Sequence, residues 1–585
     1  MARVRRSRRV DGLPSQAEQQ SRSVRWAVAA LLALMALLAF TSLVGDSPTV
    51  DEFIYPVEGR YHLATGDFRF NPQNPPLLKL LSAIPLVLHG ARLDLDPRWH
   101  THLGGWEPWV LSTRFALDHA AQYHRLFVEA RLVPLALAVL LGVFVFRWSA
   151  ALWGTPGGLL SLGLYALCPN VLAHARLATP DMPVTCFMFL SSYALWRAAT
   201  RGRTADVLWL GVFVGLAFAS KFSAVLLGPI LGAQAWLLSR APQPSGAPPR
   251  WPLPWSPARS AAVAGGIALA VIALVYGFTG LFTRWSTLPF VSGLFRGVAG
   301  ALPWLRLPLP DGLLLGIDAK TADAGGSEYP GFMFGVWARG GFRAFYVVSW
   351  LTKTPLAGLA LLGWAALATW ARGTARTRAS FLLALTPVVA FLVLSTLLFS
   401  RVNYGLRYLL PMFPFVHVAC GRLAKLAAPG GRSRAWLAAL LALYAGESLA
   451  VHPHYLSFFN AFAGGPADGW KAFVDSNQDW GQDLRRLRAW MDATRTPRVH
   501  LAYFGHVPPQ VYGIAYTPLR RGERPDGVIA ISTSLLQGLP YPITYEQPGV
   551  VRGVGADDFA WLRARTPIGR AGASILLFRV DASGR

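Results

Sequence analysis

Cysteine is nearly missing from this sequence: three residues in 585, Cys168, Cys186 and Cys420, all inside apolar segments and without CxxC or CxxH spacing. Neither a disulfide framework nor a thiolate metal site is indicated, and the three read as small core residues. Acids are scarce too, with 30 Asp and Glu against 55 Lys and Arg, for a formal net charge of +25. Charged residues of both signs make up only 15% of a chain that is 53% hydrophobic, which excludes an ordinary soluble enzyme of this length. No glycine-rich dinucleotide or phosphate-binding fingerprint occurs, so no nucleotide and no cofactor is expected.

What the chain has instead is a succession of long apolar runs, each near the ~20 residues that cross a bilayer core. They fall at 26–45, 126–147, 157–176, 182–198, 205–220, 222–238, 260–281, 345–370, 379–399, 406–424 and 435–451, about eleven crossings. The first has the basic flank of a signal peptide, but it is too long for an ordinary h-region and lacks an A-x-A ending. It reads as a retained anchor. The positive excess does not read as a nucleic-acid surface, because much of it sits in the tail 1–25 and in short interhelical connections. With that tail in the cytoplasm, Arg147, Arg201 with Arg203, Arg240 with Arg250, Arg372 with Arg376 and Arg378, and Lys425 with Arg432 and Arg434 all fall on the cytoplasmic side.

The run "PPLLKLLSAIPLVLH", residues 75 to 89, is short and interrupted by proline. Counting it as a crossing would invert every later loop, so it reads as an interfacial helix on the outer surface. Outer loops are expected at 46–125 and 282–345 within a transmembrane region 26–451, followed by an extracytoplasmic α/β domain at 452–585. In that last part "DWGQDLRRLRAWMDA" has helical spacing, and "RVHLAYFG", "GVIAIST" and "SILLFRV" read as strands. The proline-rich connection 241–257 has the composition of an extended linker. The expected class is a mainly α polytopic protein of a cytoplasmic membrane, in contact with membrane lipids and not with nucleic acid.

Ionisable groups near a bilayer are costly, and several collect at the outer ends of the expected spans. Asp51 and Glu52 follow the first; His174, Arg176 and Asp181 lie in "HARLATPDMP"; Lys221 is in "ASKFSA", Lys353 in "SWLTKTP", and Arg401 and Arg407 in "SRVNYGLRYLLP". Carboxylates and cations on one face suit a reaction between a neutral hydroxyl and an anionic, membrane-held phosphate ester, with a carboxylate taking the proton and cations holding the phosphate. Each residue also has a plainer reading. Asp51 and Glu52 fit a solvated loop, Asp181 a helix cap or structural pair, and Lys221 a snorkelling side chain. Arg401 and Arg407 fit helix-end anchors to lipid phosphates, and His174 a structural histidine without a second ligand.

The segments "DEFIYPVEGRYHLATGDFRFNPQNPPLLKLL", "HARLATPDMPVTCFMFLSSYALW", "GLAFASKFSAVLLGP", "WLTKTPLAGLALL" and "RYLLPMFPFVHVACG" resemble, in this order, polytopic glycosyltransferases of the C-type superfamily. The likeness is to the bacterial branch of family 39, related to protein O-mannosyltransferases and to the aminoarabinose transferase of lipid A. "HPHYLSFFNAFAGGPADGWKAFVDSNQDWGQDL" resembles a stretch common in bacterial members of that branch. The resemblance implies inverting transfer of a sugar from a polyprenyl-phosphate donor to a hydroxyl of a protein, lipid or glycan at the outer membrane face. It implies Asp51 as base, Glu52 as its support and Asp181 as an acid of the acceptor site, with Lys221, Lys353, Arg401, Arg407, Arg176 and His174 toward the lipid phosphate or sugar. Relatives of the aminoarabinose type carry an acid and a lysine before the paired prolines, where this chain has Gln73 and Asn74. No required metal is therefore expected.

Two other classes fit parts of the pattern. A lipid-linked-sugar flippase would place acids and cations mid-membrane on broken helices, and here they gather at one face. A non-catalytic glycan-binding scaffold would use the amides, acids and Trp480 of "DSNQDWGQDL", residues that equally make a capped helix start.

Overall fold

The computed structural model describes residues 16–95, 105–242, 255–326, 330–398, 403–426, 431–547 and 549–581. It is mainly helical, with its β-structure concentrated toward the C-terminus. Among the described residues, five helical segments are long and apolar enough to cross a membrane: Arg22–Leu43, Ala120–Trp153, Phe222–Arg240, Pro257–Val275 and Ala375–Leu397. Two bent pairs raise the number to seven, Thr155–Ala166 with Pro169–Ala175 and Phe345–Lys353 with Leu356–Arg372.

The expected crossing at 345–370 is therefore not one straight helix. Its halves meet at 106°. Pro355 disfavours helical geometry at Thr354, which is extended at ψ 134, and the helix stops at Lys353. The run 157–176 bends by 63° just before Pro169 for the same reason. The run 406–424 is a 3-10 turn, a short α-helix Phe413–Cys420 and a second 3-10 turn. Helix Asp181–Arg201 is buried along nearly its whole length, so protein rather than lipid covers its polar Thr185, Ser191 and Ser192. Between 77 and 88 the chain forms two short helices breaking at Ala83, with Ile84, Val87 and Leu88 exposed.

Nine short strands are described. β1 (Gly331–Met333) and β2 (Val336–Ala338) form a hairpin, as do β6 (Tyr541–Ile543) and β7 (Arg552–Val554). The five-stranded sheet has the order β4 (Tyr516–Pro518), β3 (Val499–Ala502), β5 (Gly527–Ser532), β9 (Ile575–Val580), β8 (Gly569–Ala571). Its first three strands are parallel and its last two antiparallel. The helix expected from Asp479 starts only at Leu484. Residues 476–480, 482 and 483 are instead buried as a connector between the sheet and the helical region.

Candidate active site

The loop after the first span is held from two sides. Arg131, fully buried, donates from Nη1 to the carbonyls of Leu43 and Asp46 at 3.0 and 2.9 Å and from Nη2 to that of Ser47 at 2.9 Å. On the other side Ser47 N donates to Gln482 O and Val50 N to Trp480 O, both at 2.9 Å. These contacts fix where Asp51 and Glu52 leave the backbone, and the two neighbours take different environments.

Glu52 is fully buried and fully hydrogen-bonded. It accepts from Arg131 Nε at 2.8 Å and Nη2 at 2.9 Å, from Thr49 N at 3.0 Å and from Ala178 N at 2.7 Å. Burial pushes its carboxyl up, but Arg131 and the two backbone N–H groups outweigh that and hold it below its ordinary value. Asp51 keeps 26% of its side chain exposed and pairs with Arg407 Nη1 at 2.5 Å. The adjacent acids thus divide into one that locks the loop and one that faces open space.

Around Asp51 lies a second ion pair, Asp181 with Lys221 at 2.6 Å, its side chains nearly fully buried. Tyr408 separates the two pairs, with Lys221 Nζ 4.0 Å and Arg407 Cζ 5.9 Å from its ring centroid. The Arg407 guanidinium also lies 4.4 Å over Trp480. His174 is buried, with no partner for Nδ1, and is in electrostatic reach of Asp181, Arg407, Lys353 and Lys221. Gly405, at φ 94, lets Arg407 approach: a Cβ there would meet Ser476 Oγ at 2.5 Å. The amide of Leu406 donates to Asn477 Oδ1 at 2.9 Å, so the buried connector positions the arginine directly.

Other residues singled out in the sequence are engaged elsewhere. Arg176 is buried against Asp46, which also takes Arg486 at 2.7 Å. Lys353 donates to the carbonyls of Leu456 at 3.0 Å, Phe458 at 2.9 Å and Asn477, which accounts for its three protons. In this geometry it ties the bent pair to the C-terminal connector. Arg401 lies outside the described residues. In the loop after the first span Glu58 and Lys79 form another buried pair at 2.9 Å, and Asn74 Nδ2 donates to Tyr55 Oη at 3.1 Å. Among the described residues no three His, Cys, Asp or Glu side chains are grouped as a metal site.

Asp475 was not singled out in the sequence as a member of this face. It is half-buried, at φ 59, and faces both Arg407 and Asp51 electrostatically. Burial, with the Asp51 charge adding to it and Arg407 opposing, pushes its carboxyl up to about 6. Its signal was the unusual density of polar residues in "DSNQDWGQDL". Most of that motif is internal wiring. Asp479 accepts from Ser534 N at 2.9 Å, Gln478 Nε2 donates to Ala573 O at 2.8 Å, and Asp483 accepts from the amides of Ala573 and Ser574 at 2.9 and 2.8 Å. Trp480 is buried with Arg407 over its ring, so that ring is not an open platform for a sugar.

Residues 109–245, which include Arg131, His174, Arg176, Asp181 and Lys221, match the family model for dolichyl-phosphate-mannose-protein mannosyltransferase. The chain is a glycosyltransferase-type enzyme. No curated protein matches it at a significant level. Solved structures similar to this glycosyltransferase include ArnT from Cupriavidus metallidurans bound to undecaprenyl phosphate, at 13% identity and a TM-score of 0.47, covering 94% of this chain and 97% of that one. The same protein in its apo state gives 13% identity and a TM-score of 0.46, with 95% and 98% covered. The apo oligosaccharyltransferase of Archaeoglobus fulgidus gives 13% and 0.43, with 76% and 57% covered.

Proposed function

We propose that the chain transfers a sugar, with inversion, from a polyprenyl-phosphate donor to a hydroxyl acceptor at the outer face of the cytoplasmic membrane. The observation that carries this reading is the partly open Asp51–Arg407 pair set beside the buried Asp181–Lys221 pair. A lone phosphate would give Arg407 a second anion, and the planar guanidinium can hold phosphate oxygens while turning away from Asp51. The freed Asp51 carboxylate accepts the acceptor proton as the hydroxyl oxygen bonds to the anomeric carbon. The bond from that carbon to the phosphate oxygen breaks, and polyprenyl phosphate leaves with the electron pair.

Roles follow from burial. Asp51 is the base, and Arg407 with Lys221 balances the charge that develops on the leaving phosphate. Asp181 holds Lys221, and His174 packs behind the pair. Glu52 and Arg176 act on the position of the loop, and Lys353 on the connector. The mannosyltransferase family match supports the lipid-phosphate donor class. The test is release of polyprenyl phosphate by purified protein offered a panel of polyprenyl-phosphate hexoses and pentoses with membrane extract as acceptor. Acceptor-dependent release from at least one donor is expected; none from any, by a folded preparation, overturns the reading.

A further inference from the structure

One cavity lies far from this site. It has a volume of about 800 Å³ and lies where helices Asp181–Arg201 and Leu227–Arg240 end, with Trp196, Ala199, Leu237 and Leu238 in its wall. The first helix begins at Asp181, and the second continues a 3-10 turn, Phe222–Leu226, that starts next to Lys221, so at 1.5–2 Å per residue the cavity is about 25 Å from the Asp181–Lys221 pair. That is close to the thickness of a bilayer core. The two features occupy opposite ends of the same helices.

Four cations converge on the cavity from two connections, Arg372 and Arg376 from one and Arg422 and Lys425 from the other, and among the described lining residues there is no carboxylate. Topology asks only for basic residues in loops, and loop cations are normally solvated. Arg422 is different: it is only 7% exposed, and its Nε is buried without a hydrogen-bond partner. An unpartnered buried guanidinium N–H is costly, and an anion in the cavity would relieve it. The N-terminus of helix Ala375–Leu398 also lines the space, with Thr374 Oγ1 accepting from Thr377 N at 3.2 Å, and adds the positive end of its dipole. The remaining wall carries Thr200 and Ser380 beside an apolar side that includes Leu152, Leu238 and Leu383.

We infer that this cavity binds the phosphate headgroup of an anionic membrane lipid, with its hydrocarbon chain along the apolar wall. Both halves of the lining are used by such a ligand, whereas free phosphate would use only the cations. The bound headgroup would join the connection after Arg372 to the one after Cys420 at the membrane face opposite Asp51.

Native mass spectrometry of the full chain released from phosphatidylcholine nanodiscs containing a minor fraction of phosphatidylglycerol tests this. Wild type is expected to retain one phosphatidylglycerol. Arg376→Gln with Lys425→Gln, both at exposed positions that folding does not need, should weaken retention about 30-fold, each cation at an anionic lipid surface being worth about five-fold. Arg422→Gln should weaken it further, and inorganic phosphate should not displace the lipid. Equal retention by wild type and the double variant would overturn the site. Displacement by inorganic phosphate at matched concentration would overturn the lipid as its ligand.

Discussion

Arg131 and Glu52 offer the sharpest structural prediction, because the pair is fully buried and both side chains are fully hydrogen-bonded. Arg131→Met removes both bonds to Glu52 and leaves the carbonyls of Leu43, Asp46 and Ser47 without their guanidinium donor. Breaking one side of a buried pair costs about 3–5 kcal/mol, a large share of the roughly 5–15 kcal/mol that keeps a domain folded. Glu52→Gln, which strands the arginine instead, should cost a similar amount. The double variant Arg131→Met with Glu52→Gln strands neither charge, so its loss should fall short of the sum of the singles by at least about 2 kcal/mol. The assay is reversible unfolding in detergent, with transfer activity measured per folded molecule. A loss below about 1 kcal/mol for Arg131→Met, or strict additivity in the double variant, would refute the claim that this pair locks the Asp51 loop.

Lys353→Met should free the connector from the bent pair by orphaning three carbonyls, each worth about 1–3 kcal/mol, and proteolysis should then open the chain between residues 456 and 478; wild-type protease resistance would contradict this. Asp475 has a folded pKa of about 6 above its ordinary 3.8, so the stability it contributes is complete below about 4 and is lost as pH rises to about 6. Asp475→Asn should therefore flatten the pH dependence of the unfolding free energy across that window, by about 1–3 kcal/mol given a partly exposed carboxyl; an unchanged slope would remove Asp475 from the site's electrostatics.

How much of this was legible in the sequence depends on the range of the interaction. The helical class and many span positions follow from apolar runs alone, since the period and length of a helix are local properties. The bends at Pro169 and Pro355 carried a local signal as well, but hydropathy averages over proline and joined each pair into one span. The sequence reading expected Asp51, Asp181, Lys221 and Arg407 on one membrane face, and in the structure these four form two ion pairs around Tyr408. The separation of Asp51 from Glu52 was not legible, because Glu52 finds its partner 79 residues away. Nor was the use of Arg176 by Asp46 or of Lys353 by three backbone carbonyls, since a cation in an apolar run looks the same whether it awaits a substrate phosphate or pins another segment. The connector containing Asp475 read as a helix start because Asp, Ser and Asn cap helices; here their side chains tie the segment that carries Arg407 to the residues that follow β5.

The central claim is that Asp51 is the base and Arg407 a phosphate ligand that it releases on donor binding. Single-turnover sugar transfer by Asp51→Asn protein, with donor affinity measured in parallel, tests it most directly. The account predicts a transfer rate about 10²- to 10⁴-fold lower, with donor binding equal to wild type or tighter because Arg407 no longer has a competing carboxylate. A folded Asp51→Asn protein that transfers at a near-normal rate would contradict it.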